Sequence, residues 1–279
     1  MTALLLAAAV VLSLAMALAF VIQRRTGNSG WIDTIWSFAV GLAGIGVALA
    51  VAADANHPGR ALLVAAVVGL WSLRLGSHIA SRSHGAAEDP RYADLKEEWG
   101  ADFPRRLFLF LQIQAAAGLL LVAAVLLAAA NPAPFPTLLD GLGLVIAVIA
   151  IGGETLADRQ MEAFRRRMRA EGRKGAVCDA GLWGWSRHPN YFFEWLFWFA
   201  FPLIALAPGG DHAIGWLAFA APAFMYVLLV HISGIPPLEA HMARSRGAAF
   251  DAYRARVSAF FPWPPRTAPV THPLKETNR

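Results

Sequence analysis

Along the chain, apolar side chains come in long unbroken runs, without the alternation of a half-buried strand. Seven runs stand out, at residues 2–22, 31–53, 60–80, 107–130, 138–157, 191–207 and 213–232. Each is near the roughly 20 residues that a helix needs to cross hydrocarbon. Backbone polar groups in lipid must be satisfied within the segment, so runs of this length predict helices. Small residues within them, among them Gly41, Gly44, Gly46, Gly141 and Gly143, let membrane helices approach closely. The expected fold is all-α, a polytopic membrane protein of seven transmembrane helices.

The polar stretches between the runs divide into two kinds. All but two of the 24 lysines and arginines fall between the first and second runs, the third and fourth, the fifth and sixth, or after the seventh. The exceptions are Arg60, in an otherwise neutral connection, and Arg74, inside the third run. Basic and neutral connections alternate, which under the positive-inside rule puts the N-terminus outside and the C-terminus in the cytoplasm. The neutral connections are short and rich in helix breakers: 56–59, 131–134 and 208–211 read as turns. Residues 154–174 keep a helical composition, so the fifth helix is expected to continue past the membrane surface. The first run has no basic residues before it, and Arg24 and Arg25 follow it, so it reads as a retained helix and not as a signal peptide. No internal repeat is evident; residues 1–265 read as one domain and 266–279 as a flexible tail.

Composition agrees: 57% of the 279 residues are hydrophobic and 15% charged, well below the quarter usual in soluble domains. Mean hydropathy is +0.48. The net charge of +5 raises nucleic acid as a partner. The basic residues sit in loops, where they orient helices, so no nucleic acid is expected, and lipid is the surrounding partner. A single cysteine, Cys178, excludes a disulfide framework and cysteine-pair metal sites. The expected location is a bacterial inner membrane, crossed several times.

Charges at bilayer depth are costly and ask for a reason. Asp33 opens the second run. Arg74, His78 and Arg82 follow one another at one-turn spacing on the third, and so share a face. Glu154 and Asp158 are one turn apart near the end of the fifth, Glu194 lies in the sixth, and His231 ends the seventh. In the seven-helix arrangement all lie near cytoplasmic helix ends, where they can line one hydrated cavity. Guanidinium groups there suit an anionic, phosphate-bearing cofactor. The densest constellation is 181–194, Gly-Leu-Trp-Gly-Trp-Ser-Arg-His-Pro-Asn-Tyr-Phe-Phe-Glu. Pro189 suits a helix start, which puts Asn190 and Glu194 on one face. An Asn side chain both donates and accepts, as a carboxamide ligand requires. Trp183 and Trp185 read as interfacial anchors.

With Gly181-Leu182-Trp183 ahead of it, Arg187-His188-Pro189-Asn190-Tyr191 with Glu194 resembles the C-terminal signature of the steroid 5-alpha-reductase superfamily, most closely its bacterial branch. Arg74-Leu75, His78, Arg82 and Glu88-Asp89-Pro90-Arg91-Tyr92 agree, as do Asn28, Asp33 and Trp36, and Ser233-Gly234-Ile235-Pro236 before Glu239. The short Arg-His-Pro motif and a tail like Glu239 with Tyr253-Arg254 are shared more distantly with isoprenylcysteine and phospholipid methyltransferases. The resemblance covers nearly the whole chain. It implies seven helices, with NADPH held by a part spanning about 145–265, and hydride transfer to an electron-poor C=C bond. By position it implies cofactor contacts from Asp158, Arg165 and Arg74, with Asn190 near the nicotinamide and Tyr191 and Glu194 lining the same cavity; Arg82, Tyr92, Glu154, Arg187, His188, Glu239, Tyr253 and Arg254 complete the cofactor-binding candidates. The steroid enzymes hold the substrate carbonyl with a Gln-Glu pair on the second helix, which this chain lacks. Asp33 is the acid nearby, and Trp71 stands where those enzymes have a tyrosine. Asp33, Trp71 and Glu194 are therefore the catalytic candidates.

The expected function is NADPH-dependent reduction of a lipophilic, steroid- or isoprenoid-like substrate. Two alternatives stand beside it: a membrane methyltransferase using S-adenosylmethionine, and a lipid-binding membrane protein that has lost catalysis. Many clustered arginines suit three phosphates better than one sulfonium.

Overall fold

The computed structural model describes residues 1–84, 90–207 and 212–266. The turn expected at 208–211, residues Glu88 and Asp89, and the tail after 266 lie outside the described residues. The helices are α1 (Thr2–Thr26), α2 (Gly30–Asp54), α3 (Gly59–Ser83), α4 (Pro90–Trp99), α5 (Phe103–Ala129), α6 (Leu138–Ala170), α7 (Pro189–Phe197), α8 (Ala200–Ala205), α9 (Ala220–Val227), α10 (Ile235–Arg246) and α11 (Ala248–Arg256). A 3-10 stretch, Ala213–Phe219, leads into α9, and a π-helical turn, Leu228–Ile232, follows it. Among the described residues the only extended pairing is one bridge between Ser186 and Ser258.

Local sequence explains the boundaries. α1 ends where Gly27 takes a left-handed φ of 68° and returns its N–H to the Gln23 carbonyl, a conformation that glycine adopts without a Cβ penalty. α6 opens on a reciprocal capping box between Thr137 and Asp140. It then runs to Ala170, so the fifth run does continue past its apolar part.

Six helices are long and apolar enough to cross a membrane: α1, α2, α3, the stretch Arg91–Ala129, α6, and the stretch Ala213–Arg246. The chain is a multi-pass integral membrane protein. The run at 191–207 differs from the continuous helix expected of it, because α7 and α8 are separated by a turn at Trp198 and Phe199. Pro202 supplies the cause. Its ring lacks an N–H and crowds the carbonyl four residues back, which belongs to Trp198.

α2 packs closely on α3, where Gly41 leaves room for the Ser72 side chain. α3 and α6 are tied at their starts by Arg60 and Asp140. Arg74 and Glu154 each lie 14 residues further on and meet again. The two helices therefore run parallel and in step for about 21 Å, at 1.5 Å per residue. That register positions the candidate site.

Candidate functional site

Outward from the meeting of Arg74 and Glu154, an open cavity of about 900 Å³ lies between α3 and α6. Arg74, His78 and Arg82 face it from α3, with His84 beyond the helix. Thr155, Asp158, Arg159, Glu162, Arg165, Arg166 and Arg169 face it from α6. Six arginines thus confront two acids. Arg166 stands 3.6 Å from Glu162. Among the described residues, Arg82, Arg159, Arg165 and Arg169 have no ion pair within the protein. Arg82, Arg169 and Arg246 add like charge around Arg165. Such a surface has the donors and the surplus charge to hold a phosphate-rich anion.

At its inner end the cavity narrows onto a dense polar cluster. Arg74 sits 2.6 Å from Glu154, pairs closely with Asp158, and lies within reach of the Thr155 hydroxyl at 3.3 Å. His78 is 3.4 Å from Asp158. One turn before Arg74, the buried Trp71 indole donates to Glu194 at 2.8 Å. Trp198 donates to the other Glu194 oxygen at 2.9 Å. Gly153 lets the Phe193 ring lie against α6, which brings α7, and with it Glu194, up to Glu154. Asn190, one turn before Glu194, is half-buried, and among the described residues its amide makes no hydrogen bond.

The Arg-His-Pro loop is held by the end of the chain. Arg187 forks onto Glu239 at 2.7 and 3.1 Å and donates to the carbonyls of Val257 and Arg254. His188 Nε2 lies 3.0 Å from the same carboxylate, and its ring stacks on Tyr191 at 5.5 Å. Burial, outweighing Glu239, holds the imidazole below its ordinary value of 6.5, so it is neutral at pH 7 and donates from Nε2. Tyr253 donates to the Trp183 carbonyl at 2.6 Å, and burial pushes its phenol up. The backbone of Arg187 bonds to Ser258, and that of Trp263 to Trp185. Beside this strap an apolar groove of about 540 Å³ is lined by Trp195, Phe199, Phe219, Pro222, Tyr226 and Phe261 among others.

The residues singled out from the sequence thus separate. Arg74, His78, Arg82, Asp158 and Arg165 line one cavity, with Glu154, Trp71 and Glu194 at its inner end. Arg187, His188, Glu239 and Tyr253 form the strap, and Arg254 contributes its carbonyl there while its exposed side chain pairs with Asp251. Asp33 lies at the start of α2, 2.6 Å from Arg91, and does not line the cavity. Tyr92 is buried beside Gln114, whose amide reaches its hydroxyl at 3.5 Å; it too is absent from the cavity wall. Sequence reading missed Trp198, although it follows Glu194 by one turn, and missed Arg159 and Arg169, which line the same cavity as Arg165.

A family model described as a protein of unknown function (DUF1295) matches residues 19–257. The chain belongs to this family. The match spans α2 to α11 and so takes in the arginine-lined cavity together with Arg187, His188, Glu239 and Tyr253 of the strap of this DUF1295 member. No curated protein and no solved structure matches the chain.

Proposed function

We propose that this protein is a membrane-embedded, NADPH-dependent reductase that delivers hydride to an electron-poor C=C bond of a lipophilic, steroid- or isoprenoid-like substrate. The observation that carries the reading is the cavity between α3 and α6, in which six arginines face two acids. Its volume of about 900 Å³ falls in the range of pockets that bury a ligand of this size. Arg82, Arg159, Arg165 and Arg169 would hold the cofactor's phosphates, and Asp158 a ribose hydroxyl. Asn190, with its unspent amide, would meet the carboxamide. When bound, the nicotinamide supplies the hydride. The chain's own part is to orient it, exclude water at the Trp71–Glu194–Trp198 end, and provide polar groups that respond to developing charge. The buried indoles and Phe197, stacked on Trp71 at 5.6 Å, suit the dry environment that hydride transfer needs.

In this reading α7 and α8 together form a seventh, broken span. The N-terminus is outside, the C-terminus is cytoplasmic, and the arginine-rich end opens to the cytoplasm of a bacterial inner membrane. Discontinuous helices at membrane depth are tolerated where they are buried in protein or line a cavity. The test is isotopic. Purified protein is incubated with NADPH deuterated at the transferable position and a panel of lipophilic enones. Deuterium on the carbon β to the carbonyl is the expected result. Methylation of a lipid acceptor with S-adenosylmethionine, and no transfer from NADPH, would replace this reading with the methyltransferase. Transfer from neither would leave a lipid-binding protein.

A further inference from the structure

We propose that Glu154 is an uncharged carboxylic acid at neutral pH, a stored and exchangeable proton at the inner end of the arginine-lined cavity. Two carboxyls, Glu154 and Asp158, share the guanidinium of Arg74, the charge of Glu194 acts on Glu154 from α7, and Glu154 and Glu194 are both buried. In a low-dielectric interior, carboxylates that share one cation cannot all stay ionised. The hydrogen-bond pattern says which one keeps the proton. Glu194 receives an indole N–H on each oxygen, at 2.8 and 2.9 Å, and two such donors favour its charged form. Asp158 pairs with Arg74 and also faces His78 at 3.4 Å. Glu154 has only the Nη1 of Arg74 at 2.6 Å, and that nitrogen is not aligned to donate a hydrogen bond. Its charged form therefore has the weakest support of the three. The charged groups that act on it are Arg74 from α3, Asp158 from α6 and Glu194 from α7; among the described residues no group donates a hydrogen bond to it.

Glu154 also has a route to water. Asp158 and His78 lie on the cavity wall one turn further out, so a proton lost from Glu154 can be replaced from the aqueous side. In the reductase, hydride adds to the β-carbon and the C=C electron pair moves to the α-carbon as an enolate. The Glu154 O–H would break as the new C–H bond forms, and Glu154 would be reprotonated through His78. That catalytic role rests on the proposed reductase; the proton on Glu154 does not.

The experiment is infrared spectroscopy of the purified protein in detergent, following the C=O stretch of protonated carboxyls and its shift in D2O. The expected spectrum at pH 7 has one buried, exchangeable carboxylic-acid band. It is lost in Glu154→Gln, moved in Glu154→Asp, and weakened in Glu194→Gln and Asp158→Asn, each of which removes a negative charge that keeps the proton on Glu154. No such band in the unmodified protein would overturn the proposal even if a variant failed to fold, and so would a band that survives in folded Glu154→Gln. A band assigned to Glu154 in a protein that transfers no deuteride would keep the proton and sink the reductase. In an active enzyme, Glu154→Gln should lower kcat by about 10²- to 10⁴-fold while NADPH affinity changes less than about threefold.

Discussion

Arg60 and Arg82 stand near the two ends of α3 and show two ways of using an arginine. Arg60 spends all five of its N–H donors inside the protein: two on Asp140 and three on the carbonyls of Asn131, Ala133 and Pro134. It is 4% exposed, and Asp140 is 2% exposed. That knot closes the ends of α3, α5 and α6 on one side of the bundle, and Asn131 adds α8 by donating to Ile204 and Leu206. At the other end Arg82, Arg159, Arg165 and Arg169 make no ion pair among the described residues and face a cavity. A saturated arginine holds the fold together. A group of unsaturated ones adds mutual repulsion to the fold and is explained by something that arrives from outside.

The largest effect should come from breaking the knot. Arg60→Ala strands a buried carboxylate and three carbonyls and should cost about 3–5 kcal/mol. The expected outcome, measured by thermal unfolding in detergent, is a protein that fails to accumulate or unfolds far below the unmodified one. Arg187→Ala comes next. It removes the fork onto Glu239 and two carbonyl bonds of the strap, but Glu239 is 17% exposed and water can take over part of the loss, so about 2 kcal/mol is expected. At the opposite end, Arg82→Ala and Arg165→Ala should change stability by less than about 0.5 kcal/mol. Each should nonetheless weaken NADPH binding about tenfold, the worth of one charge-assisted hydrogen bond. A large stability loss in either would make that arginine a second Arg60 and erase the contrast.

The smallest effect expected is on pH. His188 is held below 6.5 in the folded protein, so below that pH the unfolded chain binds the extra proton first. Stability should therefore be at its full value above about pH 6.5 and fall as the pH drops below it, with a limiting slope of about 1.4 kcal/mol per pH unit for one proton. His188→Gln should flatten that slope in a series of thermal midpoints across this window.

Much of this contrast was legible in the sequence, and the rest required contacts across the chain. The long apolar runs announced helices because hydrocarbon thickness sets their length. The one-turn spacing of Arg74, His78 and Arg82 announced a shared face because helical geometry is local. Arg60 looked like a stray loop charge, since its partner Asp140 lies 80 residues away. The run at 191–207 looked continuous because apolar composition masks the effect of Pro202. The strap between 185–187 and 257–263 was invisible for the same reason as Arg60: backbone bonds from Arg187 to Ser258 and from Trp263 to Trp185 join distant stretches and leave no local periodicity. Tyr92 entered through resemblance and Asp33 as a charge at bilayer depth, and the structure seats them beside α4 and α5, away from the arginines that line the cavity.

The central claim is that the arginine-lined end of α3 and α6 holds NADPH, and its most direct test is calorimetric titration of the purified protein with NADPH. The expected result is one saturable site, weakened about tenfold in Arg165→Ala and weakened further by salt as free guanidinium groups are screened. Absence of binding, or binding that Arg82→Ala and Arg165→Ala leave unchanged, would contradict it.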